Sequence, residues 1–373
     1  MPANEWIGIV HSTRPKYMKG ASDQTIRSRL LLSLLRKMGR IVYNEGGDEC
    51  RWQVEFSQPD VEAIGDGGVI DFSNHDAFRQ LSHDWRGYVA TDTLSKKQNA
   101  MNSGDEALIR LFSTKMDRIV KALKDNYCGE LFKDGEAPGR ENNIHGLDTF
   151  TASGTTVAAD IIAEPSDTYG LGALSTILGN QGGSWTSDLS TSPNANVATD
   201  WPYGQGDSEY DFLSPKLPNW SSSNWGTAVQ TWEGNCWRVI SNTITWLTTT
   251  GGPDGMPTIC LMAPNLWQGY KNHEETNRRI NIPHQMSQDL GFSGNTLNQD
   301  GCALSPDFDV PTNTFYMANL NHVTVKSMFP ELFWMEDITK DPRTAWSWLF
   351  GAGHYGNVTF NPKHTAKGFN YAA

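Results

Sequence analysis

Charge is scarce in this chain of 373 residues: Asp, Glu, Lys and Arg make up 19% of it, against the roughly 25% usual for globular proteins. The mean hydropathy is nonetheless −0.50, so Asn, Ser, Thr, Gln and Gly supply the polarity. That mixture suits strands, turns and long irregular excursions better than a bundle of charged helices. Long hydrophobic runs are missing too. The longest, Leu30 to Leu35, is interrupted by Ser33 and falls far short of the roughly 20 residues that cross a bilayer. The first forty residues carry basic charge without a continuous apolar stretch and a small-residue cleavage site, so a signal peptide is not expected. A cytoplasmic chain with no membrane partner follows.

Cysteine is sparse, and its pattern excludes more than its number. Cys50, Cys128, Cys236, Cys260 and Cys302 form an odd set without C-x-x-C spacing, which argues against a disulfide framework or a zinc ribbon. Buried thiols are expected. No two of the nine histidines stand four apart, and none lies within four residues of a cysteine, so no local metal signature exists. Asn272-His273-Glu274-Glu275-Thr276-Asn277 lacks the second histidine of a metalloprotease helix. Ser184 and Ser241 lack a nucleophile elbow, and the Gly-rich stretches lack a phosphate-loop lysine. Gly46-Gly47-Asp48-Glu49-Cys50 nearly spells the hairpin of diguanylate cyclases. The downstream order of hairpin, long helix and polar region does not fit a nucleotide-binding domain. No enzyme, metal or cofactor is expected.

What is present is unevenly distributed. Residues 1–40 hold eight Lys or Arg against Glu5 and Asp23, a net of +6, whereas 141–237 hold eleven carboxylates against Lys216, a net of −10. Either these are solvated faces, or a basic arm of one subunit docks on an acidic surface of another. The overall charge of −12 disfavours dedicated nucleic-acid binding, which needs concentrated Lys and Arg.

The length allows about two domains. Pro2, Pro15 and Gly20 break the first twenty residues into an extended arm. A short helix over 22–40 follows, with Ile26, Leu30, Leu34 and Met38 on one face. From Ile41 to Leu94 the pattern turns to strands: Val54 and Phe56 stand two apart, a Gly-rich turn at 65–68 precedes Val69 to Phe72, and Trp85 to Thr91 is β-prone. With the polar stretch Ser73 to His83 between them, these segments read as a long projecting hairpin, marginal alone and stabilised by lying across a neighbouring subunit. Ser103 and Glu106 make a capping box, and Leu108, Phe112, Met116, Ile119, Leu123 and Tyr127 recur every three or four residues. They predict a helix of about 27 residues and roughly 40 Å. Residues 146–226, punctuated by Gly and Pro, read as irregular. A helix over 227–248, stopped by Gly251-Gly252-Pro253, a strand over 258–262 and a helix from Asn265 to about Ile280 come next. Short strands are expected at 301–304, 314–319, 323–328 and 357–360. The fourteen tryptophans keep one rival open, a Trp-rich carbohydrate-binding protein or glycosidase; otherwise they pack cores and interfaces.

The order of arm, extended hairpin, long helix and mixed domain resembles the Hong Kong 97-type fold of tailed-bacteriophage major capsid proteins, an α+β class. Local phrases carry the same resemblance: Trp52-Gln53-Val54-Glu55-Phe56 with Asp84-Trp85-Arg86-Gly87-Tyr88, and Phe132-Lys133-Asp134-Gly135 with Ile144-His145-Gly146-Leu147. A further one is Phe315-Tyr316-Met317-Ala318-Asn319-Leu320-Asn321-His322. The resemblance implies an N-terminal arm over 1–50, an extended β-hairpin loop over 51–97, a peripheral domain over 98–145 plus 316–373 with the long helix as its spine, and an axial domain over 146–315. It implies a structural protein of the virion capsid, assembling in a host cytoplasm into hexamers and pentamers of itself. Portal, scaffold or decoration proteins are the implied partners, and the enclosed DNA is held without sequence-specific binding. Trp52, Val54, Phe56, Trp85 and Tyr88 become the subunit-contact candidates. Some members of the family weld subunits through a loop lysine and an asparagine; Arg51 to Ser95 contains no lysine, so no such crosslink is expected. Scaffold or protease functions, where assembly needs them, are expected on separate chains or already removed. An encapsulin-like nanocompartment shell is the alternative with the same fold.

Overall fold

The computed structural model describes residues 29–55, 61–68, 78–101, 105–135, 139–140, 142–149, 183–185, 216–218, 220, 231–276, 297–336, 339–343 and 346–369. The expected arm over 1–20, the Val69 to Phe72 strand and most of 146–226 lie outside the described residues.

Helix α1 (Leu30–Lys37) falls within the expected 22–40 helix, of which 22–28 lie outside the described residues. Its burial is not confined to one face: Leu30, Leu31, Leu32, Ser33, Leu34 and Leu35 are all buried, as an all-apolar helix requires. Ser33 is accommodated because its hydroxyl donates to Leu30 O at 3.2 Å. After Gly39, whose φ of +68° turns the chain, strand β1 (Ile41–Val42) pairs parallel to β11 (Val323–Ser327).

Strands β2 (Glu49–Glu55) and β3 (Phe78–Asp84) form a separate two-stranded antiparallel hairpin, Glu49 opposite Asp84 and Glu55 opposite Phe78. The polar stretch expected to be a connector thus contributes a full strand. The β-prone stretch after Trp85 does not continue the hairpin. It is β4 (Arg86–Ser95), paired along its length with β14 (Ser347–Phe360). The reason is alternation: Tyr88, Ala90 and Leu94 reach the apolar core, and burying them outweighs extending an exposed ribbon. On its other edge β14 meets β11, β12 (Trp334–Met335) and β13 (Thr339–Lys340) end to end, completing a six-stranded sheet.

Helix α2 (Lys96–Met101) leads into α3 (Asp105–Glu130), the long helix, 26 residues. Met116, Ile119, Leu123 and Tyr127 are buried against the six-stranded sheet and α1. Leu108 and Phe112 fall within α3, their side chains outside the described residues.

Helix α4 (Trp232–Gly251) ends where the two glycines predict, Gly252 standing at φ +67°. Strand β7 (Ile259–Met262) and helix α5 (Pro264–Thr276) follow. β7 joins β8 (Leu297–Gln299), β9 (Cys302–Pro306), β10 (Thr314–Ala318) and β15 (Thr365–Phe369) in a five-stranded sheet of order β15-β10-β7-β9-β8. This sheet is a wall between two cores. Ile259, Leu261, Tyr316 and Ala318 face the core built on α1 and α3; Cys260, Met262, Phe315 and Met317 face the core built with α4 and α5. Burial on both faces explains why β7 reads as an unbroken apolar run. A short parallel pair, β5 (Gly183–Trp185) with β6 (Lys216–Pro218), completes the described elements. All five cysteines are buried and free.

Candidate functional site

The region with the densest side-chain work is the root of the β2–β3 hairpin. Asn357 of β14 is its node and is fully buried. Its Nδ2 donates to Asp84 O at 2.8 Å, where β3 ends. Its Oδ1 accepts from the backbone N–H of His145 at 3.0 Å and of Val358 at 2.9 Å. One amide thereby fixes the hairpin, β14 and the segment 142–149 to each other. His83 and His145 stack at 3.9 Å with rings 9° apart, and Trp52 tilts onto His83 at 4.8 Å. Burial, then His145 and Arg86, hold the His83 imidazole well below its ordinary pKa, so it is neutral at pH 7.

The local phrases singled out in the sequence converge here. Arg86 donates through Nη1 to Gly135 O at 2.6 Å and Asn143 O at 2.8 Å. The Ile144 N–H donates to the Tyr88 hydroxyl at 2.9 Å, and burial pushes that phenol up to about 12. The segments around Gly135 and Gly146 cross in backbone contact. A Cβ on Gly146 would lie 2.4 Å from Glu130 O and from Lys133 O, and one on Gly135 would lie 2.6 Å from Ile144 O. Glu130, buried at the end of α3, binds Arg140, Asn143 at 2.9 Å and Lys133 at 3.0 Å. The later phrase joins from β10, where the Tyr316 hydroxyl donates to Phe132 O at 3.3 Å.

The contact candidates divide. Trp52 is half-buried between the hairpin and the body. Val54 lies opposite Arg79 in the ladder, its side chain outside the described residues, as is all of Phe56. Trp85 is half-buried and donates from Nε1 to Gly47 O at 2.9 Å, so the glycines of the cyclase-like string serve as a seat for an indole. Tyr88 lies in β4, not on the hairpin. Away from the root, apolar side chains stand in solvent: Phe78 is 59% exposed, Ile64 51% and Val61 97%.

Periodicity could not single out Asn357, His83, His145, Arg86 or Glu130. Asn357 and His145 are 212 residues apart, and only His145 falls within one of the quoted phrases. Four of the described tryptophans turn inward: Trp220, Trp232, Trp246 and Trp267 are buried in the second core, and Trp232 Nε1 donates to Leu266 O at 2.7 Å. They do not supply the exposed indoles that a sugar-binding surface requires. Among the described residues no group of three or more His, Cys, Asp or Glu is placed to hold a metal ion, and no helix is long and apolar enough to cross a membrane.

No protein-family model matches the chain, and no curated protein matches its sequence. Solved structures do match. The capsid of an empty GTA particle shares 11% identity over 91% of this chain and 89% of that one, with a TM-score of 0.54. The capsid asymmetric unit of cyanophage A-1(L) shares 11% identity over 91% of this chain and 93% of that one, with a TM-score of 0.50. The native GTA capsid gives 10% identity, 91% and 90% coverage, and 0.50. The chain therefore shares the fold of these capsid proteins, the Hong Kong 97-type capsid fold.

Proposed function

We propose that the chain is the major capsid protein of a tailed bacteriophage, a structural subunit that assembles with copies of itself into the icosahedral head shell around DNA. The observation that carries this reading is the match of fold over about nine-tenths of both chains to capsid subunits, joined to a two-stranded ribbon that leaves the body with Val61, Ile64 and Phe78 exposed. Hairpins alone are marginal in water, so a neighbouring subunit is the natural support. Trp52, Val54 and Phe56 carry the contact on the ribbon. Trp85 and Tyr88, whose polar atoms are used within the chain, contribute ring surface at its root. The division into arm, loop, peripheral and axial domains follows the same fold reading, as do portal, scaffold or decoration partners and non-specific contact with packaged DNA. Catalysis has no part in it.

The test is size-exclusion chromatography and negative-stain electron microscopy of the purified chain at rising concentration, with a variant in which Gln53 is joined to Gln80 by an Asn-Gly turn. Shells, capsomer rings or tubes from the full chain, lost in the shortened one, are the expected result. A full chain that stays monomeric with an ordered hairpin overturns the reading, and a shortened chain that assembles equally well overturns the ribbon's part in it.

A further inference from the structure

At the hairpin root, the hydrogen-bond directions are fixed by groups that have no choice. Asn357 must present its oxygen to the two backbone N–H groups of His145 and Val358, so its Nδ2 is the donor to Asp84 O. That same Nδ2 lies 2.7 Å from His145 Nδ1. The imidazole nitrogen must therefore accept, which it does only when it carries no proton. A proton on Nδ1 turns the contact into two donors facing each other in a site where both residues are almost fully buried.

The charged group acting on His83 from β4 is the Arg86 guanidinium. Across the ladder His83 faces Cys50, whose thiol burial pushes up to about 11. The acidic group of the segment packed behind, Glu130, is already shared among Arg140, Lys133 and Asn143. Below Cys50, Lys326 binds Glu45 at 3.6 Å and donates to Arg51 O at 3.1 Å. A second imidazolium, on the stacked His83, only adds like charge.

We propose that Asn357, His145 and His83 form a proton-sensitive latch that holds the β2–β3 hairpin in its orientation when the two rings are neutral and releases it when they are protonated. Asn357 is the positioning residue and the stacked histidines are the sensor. The device belongs to the single chain and holds whether or not the chain builds a shell, so its test is separate from that of the proposed function.

Hydrogen exchange of the full chain, followed by mass spectrometry from pH 7.5 to 4.5 in one assembly state confirmed by light scattering, reads the latch directly. After correction for intrinsic exchange, amides of β2 and β3 are expected to lose at least tenfold protection on acidification, while those of β7 and β10 do not. The double variant His145→Asn with His83→Phe keeps an acceptor at the Nδ1 position and an aromatic ring in the stack but does not titrate, and it is expected to stay protected. Should that variant fail to fold, histidine nitrogen NMR of the unaltered chain decides. Nδ1 of His145 unprotonated at pH 7, and ring protonation coinciding with hairpin deprotection, support the latch. Unchanged hairpin protection at pH 4.5, equal loss in the variant, or ring protonation at a pH distinct from hairpin release overturns it.

Discussion

Gly146 shows how little space some positions leave. Its backbone N–H donates to Lys133 O at 3.1 Å while the carbonyls of Glu130, Leu131 and Lys133 close around its α-carbon. These are backbone atoms, which do not swing aside, so Gly146→Ala is expected to cost roughly 1–3 kcal/mol, read by urea denaturation. Two buried titrating residues give opposite pH slopes. Burial lowers His354 to about 4, so its neutral form contributes stability that is complete above the ordinary histidine pKa of 6.5 and is lost as pH falls toward 4. The loss is on the order of 3 kcal/mol. Burial raises Asp307 to about 6; here the folded state prefers the proton, so stability falls as pH rises from the ordinary 3.8 through 6. Asp307→Asn is therefore expected to be more stable than the unaltered chain at pH 7, by on the order of 2 kcal/mol, and no different below pH 4. Paired denaturation curves at the two pH values check both sign and size.

Among the elements, those with their own period were readable. The long helix α3 is legible to within a few residues because Met116, Ile119, Leu123 and Tyr127 repeat at helical spacing and are buried as a stripe. Leu123→Ala is expected to cost about 2–5 kcal/mol, whereas Lys121→Ala, on the exposed side, is expected to stay within about 0.5 kcal/mol; thermal melts distinguish them. Strand β3 is not legible because Phe78–Asp84 is largely polar, so its order comes from the ladder with β2 and not from a hydrophobic alternation. Most of β14 is not legible for the reverse reason. Gly351, Gly353 and Gly356 punctuate it like a loop, yet Gly353 is small because the Trp334 ring lies across it and Gly356 because Lys326 O approaches to 2.2 Å of where a Cβ would stand. The root of the hairpin was legible only as phrases. Why those phrases matter, that Arg86 and Tyr88 bind the segments around Gly135 and Ile144, is a fact of tertiary structure that spacing along the chain does not encode.

For the whole molecule, the five-stranded sheet makes the two cores one unit, since its strands β7 and β10 lend alternate side chains to both. Unfolding by urea is expected to show coincident transitions for signals from the tryptophan-rich second core and from the first. Two separated transitions would mean the shared wall does not couple them. Helix α1 and strand β1 add a matter of timing. Ile41 pairs with Val325, and β11 in turn needs Val358 and Phe360 of β14. At a synthesis rate of about 5–20 residues per second, the leucine-rich helix α1 leaves the ribosome roughly 15–65 s before the strands that pack against it exist. During that interval the growing chain offers a bare apolar segment to whatever binds such segments, so this protein is expected to lean on chaperones while it is being made, and to lose soluble yield first when they are limiting.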